Sequence, residues 1–281
     1  MTSRYRQTRT PDGRYTFISK APAPVSEEDF ECRSKDVSGN YINSSAQISD
    51  TAEVQNSLVD DSVLVAGLVR LTSTSIRANA RLSSQSRVLG GVIGENASIG
   101  EHTEIYNTVL LEAVHVGEHT FVDSSTIGAD SSLGHHTQVR SSTLGRLVIV
   151  GRHCIVVDAN LDDFVSIAAN SQIGTGASVG IGTDIARMCI ISDGASLGRH
   201  VYIGDHTNVG SGSVVGDYSG LGTKVDVGAQ VTINSNVIVG DGSRIGAGVS
   251  IHEHVVLPPH TTIPPGASVT VGDSGRYKIQ F

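Results

Sequence analysis

At 281 residues with 38% hydrophobic content, the chain has enough material for a sizeable core, yet 32 glycines, no Trp, five Phe and seven Tyr mean that small and β-branched aliphatics must build it. That is the composition of a repetitive β structure. A formal charge of -8 has the wrong sign for neutralising phosphates over a broad surface, and nowhere do eighteen apolar residues run together, so nucleic-acid and membrane partners are both set aside.

Residues 1–36 open with Arg4, Arg6 and Arg9, and no apolar run follows them, which argues against an export signal. Pro22, Pro24 and the acidic Glu27-Glu28-Asp29 follow without any period, so this stretch reads as an N-terminal extension. The end of a stack of strands exposes unpaired backbone groups, and covering it is the expected task of the extension. Cys32, Cys154 and Cys189 are odd in number and far apart, with no CxxC, which excludes a disulfide framework and fits a reducing cytoplasm.

From Ile48 a branched aliphatic recurs every six or five residues: Ile48, Val54, Val59, Val65, Leu71, Ile76, Leu82, Val88, Ile93, and so on to Val269. Steps of six, six and five up to Leu161 make a 17-residue period, and steps of six beyond it make 18. Each period is one coil of three short faces. Four residues after each aliphatic lies a second, smaller inward slot, filled by Val63, Val69, Ala80, Ser86, Ala97, Thr103, Thr137 and their like. Cys154 and Cys189 occupy this slot and read as small buried fillers, not reactive thiols. Asn160 falls in it too, the one amide there, where the period lengthens; it is expected to need an internal partner or water.

The expected fold is therefore all-β, a parallel solenoid of about 13 triangular coils over residues 37–271, roughly 60 Å long at ~4.8 Å per coil. Pro258, Pro259, Pro264 and Pro265 remove backbone donors and are expected to soften the last coils, and residues 272–281 form a short tail.

The hexads Ile99-Gly-Glu-His-Thr-Glu, Ile203-Gly-Asp-His-Thr-Asn and Ile245-Gly-Ala-Gly-Val-Ser resemble the hexapeptide-repeat family of left-handed β-helices, over Ile42 to Val269. The left hand comes from that resemblance. The five-residue step near Ile105 is similar to the C-terminal β-helix of sugar-nucleotide pyrophosphorylases, but residues 1–41 are too few for their nucleotidyltransferase domain. The stretch Asp158 to Ile167 resembles part of the sugar N-acetyltransferases, with Val157 where their catalytic His would stand. The resemblance implies an acyl-CoA-dependent acyltransferase, with acetyl-CoA or a similar cosubstrate and an amine or hydroxyl of a small metabolite, such as a nucleotide sugar or amino acid, as acceptor. It also implies a homotrimer.

Stacking turns scattered residues into columns along the edges, and chemistry is sought there. Arg199-His200, Asp217-Tyr218, Ser235-Asn236 and Glu253-His254 fall on successive coils of one edge. Acyl transfer needs a base on the acceptor, so His200, Asp217 and His254 are the catalytic candidates and Arg199, Tyr218 and Asn236 the substrate-binding ones. Plain solvation of a polar corner is the competing reading. A second edge carries Gly194, Gly212 and Gly248 at one turn position, with Gly228 and Gly246 in the neighbouring column. Glycine there permits positive φ, or lets the pantetheine arm of acyl-CoA lie against backbone. His102, His119, His136 and His153 form a column on the remaining edge, about 5 Å apart if the coil spacing holds. They are solvated turn residues, a divalent-metal site or an acid sensor. No metal is expected in the leading reading. A metal-dependent lyase of the carbonic anhydrase type and a non-catalytic scaffold or regulatory subunit of a nucleotidyltransferase-like partner are the alternatives.

Overall fold

The computed structural model describes residues 5–9, 15–19, 38–272 and 277–280. All the regular structure among them is β. Tyr5–Arg9 pairs antiparallel with Tyr15–Ser19, placing Gln7 opposite Phe17. The acidic Glu27-Glu28-Asp29 and Cys32, and with them much of the expected capping segment, lie outside the described residues.

From Tyr41 the chain winds through a parallel β-solenoid that matches a left-handed β-helix. The first face is a 13-stranded sheet running from Gln47–Ile48 to Val256–Leu257. A second face begins at Glu53–Gln55 and a third at Tyr41–Ile42. Register follows the sequence period: Ile99 lies beside Val116, 17 residues on, and Ile185 beside Ile203, 18 on. Every second residue of a short strand points inward. The inward ladder, Ile99, Ile105, Leu110, Val116 and their successors, is sealed from solvent.

The corners explain the rest of the repeat. A short strand can turn sharply onto the next face only if one residue adopts left-handed backbone, which His, Asn and Gly tolerate better than branched residues. At His102 φ is 54° and at His119 it is 53°; the His119 N–H then donates to the Glu101 carbonyl at 2.9 Å, one coil back. The next residue drops into the small inward slot. Where that residue is hydroxylated its polar group is matched, as when Thr103 Oγ1 donates to the Gly117 carbonyl at 2.8 Å. Cys154 and Cys189 fill the same slot and are fully buried, with burial pushing both thiols up from their ordinary range.

Asn160 is not in that slot. It is exposed, facing out from the strand Asn160–Leu161, and Ala159 is the buried residue. In the 17-residue coils the corner between the second and third faces is one residue shorter, so the slot there falls three residues after the aliphatic. The lengthening also sits later than Asn160. Val156 pairs with Ile173, 17 residues on, but Leu161 pairs with Val179, 18 on, so the added residue enters the corner between Ile173 and Val179.

The prolines leave the strand pairing of the last coils intact. Val256–Leu257 and Thr262–Ile263 keep their pairing with the preceding coil. Pro258 and Pro264 follow the last strands of the first and second faces, where a backbone N–H would have no next strand to donate to among the described residues. Part of the tail forms a strand. Tyr277–Gln280 runs back antiparallel on Ser268–Val271, with Ile279 opposite Val269, and Tyr277 and Ile279 pack against the end of the core.

Candidate functional site

His200, Tyr218, Asn236 and His254 occupy the corner between the third and first faces on four successive coils, each in left-handed backbone with φ between 52° and 62°. The column expected from the period therefore exists. His200 and Tyr218 stack, with ring centroids 5.3 Å apart and planes inclined by 19°. One coil earlier the corner residue is Gly182, and a Cβ there would stand 2.7 Å from His200 Nδ1. The imidazole thus lies over the bare glycine on one side and against the phenol on the other. Apart from these contacts it is exposed, and no protein group bonds to either ring nitrogen among the described residues.

Asp217 serves a different partner from the one its position suggests. Its Oδ1 accepts the Arg199 backbone N–H at 2.8 Å, across one coil. A Cβ on Gly198 would lie 2.4 Å from that oxygen, so the glycine makes room for the carboxylate. The same corner cap recurs at Asp163 onto Arg146, Asp193 onto Thr175 and Asp241 onto Thr223, at 2.7 to 2.9 Å. His254 is three coils from His200, about 14 Å along the edge at the spacing of adjacent strands. The two histidines therefore do not meet at one reacting atom. Arg199 and Asn236 flank His200 and Tyr218 on the exposed rim.

On the edge between the second and third faces, Gly194, Gly212 and Gly248 have φ of 67°, 65° and 69°. Corner geometry accounts for them. Gly228 and Gly246 are required for a different reason: a Cβ would lie 2.7 Å from the Ala247 backbone nitrogen and 2.4 Å from that of Pro265. Coil-to-coil packing excludes a side chain at both.

The third edge holds the imidazole column. His102, His119, His136 and His153 stack with centroids 4.7, 4.9 and 4.9 Å apart and planes within 4° of parallel. Parallel rings aim their nitrogens side by side, not at a shared point. Among the described residues no group of three or more His, Cys, Asp or Glu is gathered to hold a metal ion. Further along this edge Arg152 and Arg187 stand two coils apart with Ala169 between them. The sequence reading passed over both, although their shared offset from the aliphatic ladder was visible. Val157 closes the strand Ile155–Val157, half-buried on the second face, so no imidazole is presented there.

Residues 90–161 match the family model described as GMPPB C-terminal domain. No curated protein matches the chain. Solved structures that are similar include a UDP-N-acetylglucosamine acyltransferase, 18% identical over 65% of this chain and 70% of that one, with a TM-score of 0.38. LpxA from Acinetobacter baumannii is 15% identical over 85% and 73%, TM-score 0.30. UDP-N-acetylglucosamine acyltransferase from Arabidopsis is 18% identical over 85% and 73%, TM-score 0.25. The likeness to hexapeptide-repeat β-helices drawn from the hexads holds in the coil geometry and in the family-model match. No helix among the described residues is long and apolar enough to cross a membrane.

Proposed function

We propose that the protein is an acyl-CoA-dependent acyltransferase acting on an amine or hydroxyl of a small metabolite, such as a nucleotide sugar or amino acid. The observation that carries this reading is His200: an imidazole held between Gly182 and Tyr218, open to solvent, with both ring nitrogens available. Its neutral nitrogen takes the acceptor proton while the acceptor attacks the thioester carbonyl carbon. The C–S bond then breaks, and the imidazolium returns the proton to the departing thiolate. Tyr218, Arg199 and Asn236 orient the acceptor beside it. Asp217 acts on this site through the backbone, by fixing the corner that carries Arg199 and His200. His254 is a separate polar contact farther along the rim.

The pantetheine arm of acetyl-CoA would lie along the corner row of Gly194, Gly212 and Gly248, open at Gly194 and Gly248 and covered at Gly212 by the Gln230 side chain, while Gly228 and Gly246 serve it through the close packing of the coils. That edge and the His200 edge are separated by the whole third face of one chain. The arm bound to one copy therefore reaches the His200 of another, and the reading carries a homotrimer in the cytoplasm with it. Calorimetric titration of the full chain with acetyl-CoA, together with thiol release in the presence of candidate acceptors, tests the proposal. Saturable binding and activity lost in His200→Ala support it. No binding at millimolar acetyl-CoA overturns it.

One observation favours a second reading, that of a non-catalytic scaffold or regulatory subunit of a nucleotidyltransferase-like partner. The Asp217 carboxylate bonds a backbone amide and not the imidazole, and residues 90–161 are similar to a family described as a C-terminal domain. Absence of acetyl-CoA binding combined with an altered rate of a nucleotidyltransferase on adding the chain selects this reading.

A further inference from the structure

Along the histidine edge, the residue before each corner runs Arg152, Ala169, Arg187, Asp205 on four successive coils, and the corners run His153, Asn170, Met188, His206. Arg152, Ala169, Asn170, Arg187, Met188 and His206 line one hollow. The hollow exists because Ala169 ends at Cβ between two long side chains. The arginines are two coils apart, about 10 Å between their backbones at the strand spacing, and both side chains line the hollow.

The polar side chains on its lining are those of Arg152, Asn170, Arg187 and His206, beside an apolar wall that includes the exposed Met188. Arg187 is held in place by Asp205, whose Oδ2 lies 2.9 Å from Nη2 and whose Oδ1 accepts the Arg187 backbone N–H at 2.9 Å. The carboxylate thus fixes one guanidinium. Arg152 has no such brace, as is also true of Arg77, Arg81, Arg87, Arg140, Arg199 and Arg244 among the described residues. No ion pair involves Arg152 among the described residues, and the same column carries His135 one coil before it and Ala169 one coil after. A guanidinium without a carboxylate partner therefore lines the hollow together with a braced one, in a chain of formal charge -8, and the Asn170 amide and the His206 imidazole line it too.

We infer that this hollow binds the phosphate or diphosphate group of a small metabolite, the class whose several acceptor oxygens match two arginines and an amide. The site stands apart from the His200 edge and does not depend on the acyl-transfer reading.

The test is calorimetric titration of the full chain with inorganic pyrophosphate and, separately, inorganic phosphate, at matched ionic strength. One saturable site is expected. Arg152→Ala removes one bidentate partner and Ala169→Glu fills the hollow with an opposing charge; each should weaken binding by about tenfold or more. Arg81→Ala, on the first face, should leave it unchanged, and melting curves establish that each variant is folded. Tighter binding of pyrophosphate identifies a diphosphate ligand, and tighter binding of phosphate a monoester. No saturable binding of either probe overturns the inference. So do an unaltered affinity in folded Arg152→Ala and Ala169→Glu, or an equal loss in Arg81→Ala, which marks diffuse charge attraction.

Discussion

Asp217 reaches across one coil to accept the Arg199 backbone N–H at 2.8 Å, so a carboxylate on the candidate edge closes a corner. Replacing it separates architecture from chemistry. Asp217→Ala should lower stability by about 1 kcal/mol, the usual worth of a side-chain cap on a free amide, whereas Asp217→Asn keeps an acceptor and should stay near the native midpoint. Urea unfolding of the two variants checks this. A midpoint for Asp217→Ala equal to that of the native chain would remove the cap.

The bare corner at Gly182 gives a second prediction. A methyl there would fall 2.7 Å from His200 Nδ1, and its φ of +68° disfavours any side chain. Gly182→Ala should therefore turn the imidazole away from Tyr218, seen as a change in the His200 ring shifts by NMR. If His200 is the base, the variant should also lose activity while the remaining coils keep their amide spectrum.

Inward substitutions should act on whole coils. Ile203 is completely buried on the first face between Ile185 and Leu221. Ile203→Ala leaves a cavity and should lose about 2 to 5 kcal/mol. Ile203→Asp places an unpaired carboxylate in the core and should unfold neighbouring coils together, because each coil is supported by the next. Hydrogen exchange by segment reads the extent of the loss.

Two pH effects have opposite signs. The side-chain and backbone N–H groups of Arg187 hold the Asp205 carboxyl below the usual carboxylate range. Its contribution is present above the unfolded pKa and disappears as pH falls through the lower folded value. Asp205→Asn should flatten the acid limb of the stability curve. Burial raises the Cys154 and Cys189 thiols, so their contribution is complete below the unfolded thiol pKa and is lost as pH rises through the folded one. Both should resist a thiol reagent until the chain is denatured, and stability should fall on the alkaline side. Rapid labelling of either residue in the folded protein would contradict the burial.

Most of the solenoid was legible because its signal is an aliphatic at Ile48, Val54, Val59 and onward, and only a short, regular corner can keep that phase. The stacked imidazoles at His102, His119, His136 and His153 were legible for the same reason, since one period predicts one column. Asn160 was misplaced because the shorter corner shifts the inward slot by one residue, and a one-residue change in a strand reverses the side of the sheet. The engagement of Asp217 was hidden: the spacing puts it near both His200 and Arg199, and only backbone positions decide between them. Tyr277–Gln280 carried an alternation of Tyr277 and Ile279 with Lys278 and Gln280, but a four-residue strand has no period to announce it.

The strand Tyr277–Gln280 runs opposite to every coil it follows. On the third face a second molecule arriving at that end meets a strand of opposite polarity, while on the other two faces Pro258 and Pro264 follow the last strands and lack the N–H that would continue the ladder. Within the solenoid, by contrast, an insertion of one whole coil of 17 or 18 residues would keep every aliphatic in phase with its neighbours.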